Sequence, residues 1–280
     1  LVVDFASFHN LNLDNAISII LDLEVFGLLH YNKFENSFSV LSWAFDFQNA
    51  YKGIYDYDQF KIQSLASSGD TVASVNFNNN EMFLYGVDKV NITSRFNLGV
   101  YPSNNIIKFF DDKSFKFDGD IYLGDFLFSG NAIDFKYDEF VFDFDKNSIL
   151  SFSDKEKISV SLIHFDDAVL FVDSVNNKSG VNILNDFPKF KVNNFAYLTY
   201  SNKPVNFQLD PFEIKYLNDM SLRNLTFTGS LLLDNVINDM NGVLTFDENI
   251  NLKTSIETND SIFLYKENLL FNGSMFLSNK

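Results

Sequence analysis

Three histidines, His9, His30 and His164, carry the most versatile chemistry in this chain. They lie far apart, and none belongs to an H-x-x-x-H pair, the spacing that sets two imidazoles on one helix face around a metal. Only His164 has acids beside it, in His164–Phe165–Asp166–Asp167. A carboxylate that orients an imidazole is the usual frame of a general base. No G-x-S-x-G elbow or other nucleophile accompanies it, so His164 reads as a surface residue at a strand end. Asp143–Phe144–Asp145–Lys146–Asn147 has the first half of a calcium loop. The sixth position is Ser148 where that loop needs Gly, and the twelfth is Asp154 rather than Glu. Asp118–Gly119–Asp120 and Asp56–Tyr57–Asp58 read the same way, as solvated strand ends and turns. The chain has 37 acids, so chance pairs are expected. None has the apolar flank that splits two carboxyl groups into an acid and a base, as glycoside hydrolysis requires. Trp43, Tyr51, Tyr55 and Tyr57 can form a sugar-stacking platform, but Trp43 is the only Trp, and packing accounts for all four. The N-x-S/T sequons at Asn91, Asn177, Asn224, Asn259 and Asn272 are what an Asn-rich chain produces by chance. The residues point to no catalytic group, no metal site and no cofactor.

Composition sets the class. Of 280 residues, 34 are Phe, and there is no Cys. Burying a Phe side chain stabilises by roughly 1.5–3 kcal/mol, so half of these rings drive a sizeable core. Without Cys there is neither a disulfide framework nor a thiolate metal site. A net charge of −16 argues against nucleic acid, whose binders gain most affinity by neutralising phosphate. It also disfavours electrostatic docking on anionic membranes. No apolar run approaches the roughly 18 residues of a membrane helix. The chain opens at Leu1–Val2–Val3–Asp4 and closes at Leu277–Ser278–Asn279–Lys280, which reads as an internal piece of a longer polypeptide.

Elements that position side chains are legible as period-2 alternation. One pattern recurs: apolar residues at alternate positions around a central Gly. It occurs at Phe115–Leu123, Leu225–Leu233 and Leu269–Leu277, centred on Gly119, Gly229 and Gly273. Alternate side chains share one face of a strand, so the Gly lies on the apolar face, where it marks a bend or a close backbone approach. Further strands are expected at Ile133–Tyr137, Phe140–Phe144, Ile158–Leu162, Val169–Val172, Tyr197–Thr199, Val205–Leu209, Phe212–Tyr216, Val243–Phe246, Ile250–Ile256 and Ile262–Tyr265. Even Ile17–Val25 has strand period. Turns are expected at Asn78–Asn80, Asp111–Lys113, Ser129–Asn131, Asn176–Gly180 and Asn241–Gly242. Short helices are expected at Tyr57–Ser68 and Leu184–Pro188. The glycines are unevenly spaced, which argues for antiparallel meanders rather than a β-helix. The expected fold is all-β: one elongated, mainly antiparallel curled sheet, groove- or solenoid-like, with few short helices. It spans 1–280 as a single domain with a weak boundary near 175–189.

The runs Phe115–Leu150 and Asn177–Phe246 resemble parts of large β-rich envelope proteins of Gram-negative bacteria, AsmA-like and TamB-like chains. That resemblance implies a non-enzymatic periplasmic segment that shields or transports lipid, or supports outer-membrane biogenesis. Its partners would be phospholipid or another lipid and other envelope proteins. The lipid-facing apolar groove is expected to be lined by Phe115, Phe117, Ile121, Leu123, Phe126, Phe128, Phe135, Phe142, Phe144, Leu225, Phe227, Leu231, Leu233, Phe271, Met275 and Leu277. Other readings stay open. One is a surface β-sandwich or β-helix module that binds glycan or protein. Another is a β-helix enzyme acting on polysaccharide.

Overall fold

Asn12 starts a helix where alternation predicts a strand, because its side chain accepts a hydrogen bond from Asn15 N at 2.8 Å and caps the first turn. The computed structural model describes residues 1–58, 60–65, 69–93, 95–154, 157–200, 203–233, 237–257, 262–265 and 269–278. They divide into two units, Leu1–Asp58 with Asn176–Ile183, and Gln59–Val175 with Leu184–Lys280. The main division therefore falls at Asp58, where composition gave no signal, and only the short return lies inside the expected boundary.

The first unit holds α1 (Val2–Phe8), α2 (Leu13–Val25), the hairpin β1 (Leu29–Asn32) and β2 (Ser37–Val40), and α3 (Ser42–Tyr51). The strand reading of Ile17–Val25 is corrected here. Ala16 and Ile20 are buried with Val2, Ala6 and Leu29, and Ile17 and Leu23 pack against them. That is helical spacing, hidden because the exposed Ile19, Leu21 and Val25 continue an apolar alternation. The two short helices are corrected too. Lys61–Ile62 is strand, Asn185–Asp186 is turn, and no helix forms among the described residues of either stretch. Ala66–Ser68 lie outside the described residues.

The second unit is a meander of long strands, each folded over on itself. In chain order the first strands are Lys61–Ile62 with Ala73–Asn76, Glu81–Tyr85 with Val90–Asn91, and Leu98–Pro102 with Ile106–Phe110. The unbroken hairpin strands Phe115–Leu123 and Phe126–Lys136 come next. Val141–Phe144 with Ser148–Asp154, Ser161–Phe165 with Ala168–Phe171, Lys189–Val192 with Ala196–Tyr200, and Lys203–Leu209 with Phe212–Ile214 continue the series. Thr226–Leu233, Ile237–Phe246, Leu252–Glu257 with Ile262–Leu264, and Leu269–Phe271 with Ser274–Leu277 complete it. Every described pairing in this series is antiparallel and joins a folded strand to its chain neighbour. The result is one curled antiparallel sheet. Its two layers diverge from a common crease, and no described pairing closes it into a barrel.

The crease is made by residues that tolerate left-handed or irregular backbone. Asn105, Ala132 and Asn147 have φ of +57°, +50° and +62°. Polar groups along it satisfy one another. Ser103 N donates to Asp118 O at 2.8 Å, and Asn193 N donates to Asp167 O at 3.0 Å. Ala132 N donates to the Asp118 carboxylate at 2.7 Å. Asn147 N donates to the Asp166 carboxylate at 3.0 Å. Where a strand crosses the crease unbroken, glycine does the folding. Gly119 pairs with Gly130 and Gly229 with Gly242. A Cβ on Gly119 would overlap the Tyr101 carbonyl oxygen, and one on Gly229 would overlap that of Gln208. Ser129–Asn131 and Asn241–Gly242 are thus not turns, as their composition suggests. They lie within strands, at or beside the crease.

Candidate functional site

Folding each strand over sets two apolar faces against each other. In one layer Met82, Phe109, Phe115, Phe135, Phe142, Leu170, Phe190 and Ile214 are successive cross-strand partners. In the other, Val100, Ile121, Phe128, Leu150, Ile163, Leu198, Phe207, Leu231 and Met240 form the matching row. The abundance of Phe follows from this arrangement, because directly opposed aromatic residues stabilise an antiparallel pair. Ring centroids are 4.9 Å apart for Phe115–Phe135 and 4.8 Å for Phe135–Phe142.

Most of the expected groove residues lie on these inner faces. Phe115, Phe117, Ile121, Leu123, Phe126, Phe128, Phe135, Phe142, Phe144, Leu225, Phe227 and Leu231 are buried in one cluster. Phe271, Met275 and Leu277 are only partly buried against it. The Leu233 side chain is outside those described. Through the middle of the molecule the space is filled by the protein's own rings. Phe128 of one layer meets Phe190 of the other at 4.8 Å, and Phe152 meets Phe246 at 4.9 Å. The third pattern differs. Its alternation persists, but Leu269 is exposed and the inner residues keep part of their surface. Beside it Thr254, 4% exposed, has a hydroxyl with no hydrogen-bond partner.

Side chains and turns fasten opposite rims to each other. The turn at Asp247–Asn251 reaches the strands at Ser161 and Tyr200. Leu252 N donates to Ser161 Oγ at 2.8 Å, and Tyr200 Oη donates to Leu252 O. Val160 N donates to Asn251 Oδ1 at 2.9 Å. Burial and the nearby Asp247 carboxylate push the Tyr200 hydroxyl up to about 12. A second fastening is the Arg95–Asp173 ion pair at 3.0 Å, whose carboxylate is almost fully buried.

The candidate chemical groups are dispersed. His164 Nε2 bonds Thr199 Oγ1 at 2.9 Å, and partial burial lowers its pKa. Its sequence neighbours turn to other work, Asp166 to Asn147 N and Asp167 to the Asn193 and Asn194 amides. Asp143 pairs with Lys136, and Asp120 accepts from Ser129 Oγ at 2.6 Å. Asp56 accepts from Lys178 N and Ser179 N within the first unit. Trp43 and Tyr57 meet edge to face at 5.1 Å, and Tyr55 Oη donates to Asp46 Oδ1. Asn177 is buried and bonds Asn182 through both ends of its amide, which makes its sequon inaccessible. Among the described residues no group of three or more acidic or imidazole side chains is placed to hold a metal ion. Among them no helix is long and apolar enough to cross a membrane.

The two outer faces differ sharply in how many charged groups they carry, which the sequence reading missed. One layer presents Lys108, Lys116, Asp134, Asp143, Val169, Lys191 and Glu213 as a cross-strand row. The other presents Tyr101, Asp120, Ser129, Ile149, His164, Tyr197, Gln208, Ser230 and Asn241. The signal was available in the polar positions of each alternating strand, but it emerges only when register aligns them. No family model, curated protein or solved structure matches this chain.

Proposed function

We propose that this chain is a non-enzymatic segment of a Gram-negative envelope protein, working in the periplasm, whose folded-over sheet shields acyl chains from water. The observation that supports this is the run of opposed apolar faces across successive strands, left partly uncovered at Phe271, Met275 and Leu277. An acyl chain gains roughly 0.8 kcal/mol for each CH₂ removed from water. It cannot pass between Phe128 and Phe190 without displacing rings, so it seats against the third pattern. There the Thr254 hydroxyl offers a donor to an ester or carboxyl oxygen. The other envelope proteins of the same system are the expected partners, and the acidic chain leaves nucleic acid out.

Native mass spectrometry of gently purified protein tests the reading, together with a photo-reactive residue at Met275 and, separately, at the outward-facing Ser255. Co-purifying phospholipid crosslinked from Met275 and not from Ser255 is the expected result. A bare mass across independent preparations, with no lipid adduct at Met275, would overturn it.

A further inference from the structure

Both outer faces are built on the same strands, and the chain as a whole carries a net charge of −16. A neutral row on one face is therefore not a general effect of composition. In the charged layer the outward groups pair with each other, Lys116 with Asp134 at 3.0 Å and Lys136 with Asp143. In the neutral layer the row from Tyr101 to Asn241 has one carboxylate, Asp120, which Ser129 Oγ already binds. The rest is aromatic, hydroxyl, amide and imidazole, with one aliphatic residue, Ile149.

The aromatic end has a defined shape. Tyr101 lies over Gly99, and a Cβ there would come within 2.7 Å of its ring. Lys89 Nζ lies over the Tyr101 ring, 5.5 Å from its centroid, and Tyr122 meets Tyr101 edge to face at 5.2 Å and 85°. Among the aromatic rings of the row and its border, Tyr122 and Tyr197 are exposed to 44% and 50%. The outward apolar residues Leu127, Ile149 and Leu162 are half-buried between neighbours.

We propose that this outer face binds a neutral, extended polysaccharide that lies across the strands. A pyranose ring presents a flat C–H face suited to the exposed rings of Tyr122 and Tyr197, and hydroxyls around its edge. Adjacent strands are about 4.8 Å apart, so polar groups repeat along the row at intervals close to the length of one sugar unit. Ser230 Oγ bonds Asn241 Oδ1 at 3.0 Å, which leaves the Asn241 NH₂ group to donate. Gln208 between Tyr197 and Ser230 adds both a donor and an acceptor. Anionic polymers are repelled by the acidic chain, and cationic ones are better served by carboxylates than by this row. The proposal is independent of lipid binding, because it uses the opposite side of the sheet.

Affinity electrophoresis of the intact chain through gels that contain dextran, galactomannan or hydroxyethylcellulose tests it. At least one should retard migration, and the retardation should survive salt that cuts the Debye length to about 3 Å. Tyr197→Ala and Tyr122→Ala should each weaken binding about tenfold, the effect of losing one aromatic contact. Lys191→Ser on the charged face should change nothing. Melting curves equal to the parent's establish that each variant is folded. Four outcomes would overturn the proposal: no retardation in any gel, retardation abolished by salt, undiminished binding by folded Tyr197→Ala, or Tyr197-dependent self-association in sedimentation without polysaccharide.

Discussion

Tyr200 shows how much one hydroxyl does here. Its side chain is buried, it donates to Leu252 O, and through that bond it ties one rim to the turn that follows Phe246. Tyr200→Phe leaves that carbonyl without its partner, and the expected cost is about 1–2 kcal/mol in urea titration near neutral pH. The pH dependence follows from its raised pKa. The unfolded phenol ionises near 10 and the folded one near 12, so the fold holds the neutral form. The Tyr200 contribution is whole below pH 10 and is lost as pH climbs through 12. Stability measured from pH 9 to 12 should fall less steeply in Tyr200→Phe than in the parent, and equal slopes would refute this role.

The folded strand is the unit of construction, and glycine at the crease makes it possible without a break. Gly229→Ala drives a methyl group into the neighbouring strand at Gln208 and Leu209. A loss of about 3 kcal/mol is expected, at the upper end of overpacking. Gly53→Ala meets nothing within 4 Å and costs about 1–2 kcal/mol for its left-handed backbone alone. Equal losses in the two variants would contradict the crease. Much of this was legible beforehand. Alternation located most strands, and the pattern around Gly119 and Gly229 placed glycine on the apolar face, where it is found. The fold-over itself was not legible, because Asn, Asp and Gly serve a hairpin and a crease alike. Ser129–Asn131 and Asn241–Gly242 were read as ends of strands for that reason. Helix α2 was missed because its exposed Ile19, Leu21 and Val25 complete a strand period beside the buried helical one. On the functional side, twelve of the sixteen expected groove residues lie in the buried cluster, but Leu150, Ile163, Leu170, Phe190, Leu198 and Phe207 of the same faces were not among those expected, and the outer row needed cross-strand register, which a single sequence does not encode locally.

At the scale of the whole molecule, charge works against compactness. A net charge of −16 repels itself, while the outward ion pairs are exposed contacts worth about 0–1 kcal/mol each. Screening should therefore relieve more repulsion than it removes attraction. Stability is expected to rise between low salt and physiological ionic strength, about 0.15 M, where the Debye length is near 8 Å. A urea midpoint that falls as salt is added would show that the ion pairs dominate. The order of strands has a broader consequence. Since the backbone ladder of each folded strand pairs only with the one before and the one after, the sheet has no fixed size. An internal duplication or loss of two successive strands would preserve direction and register on both flanks. Such a lineage can lengthen or shorten by gene-level copying while every surviving neighbour keeps its contacts.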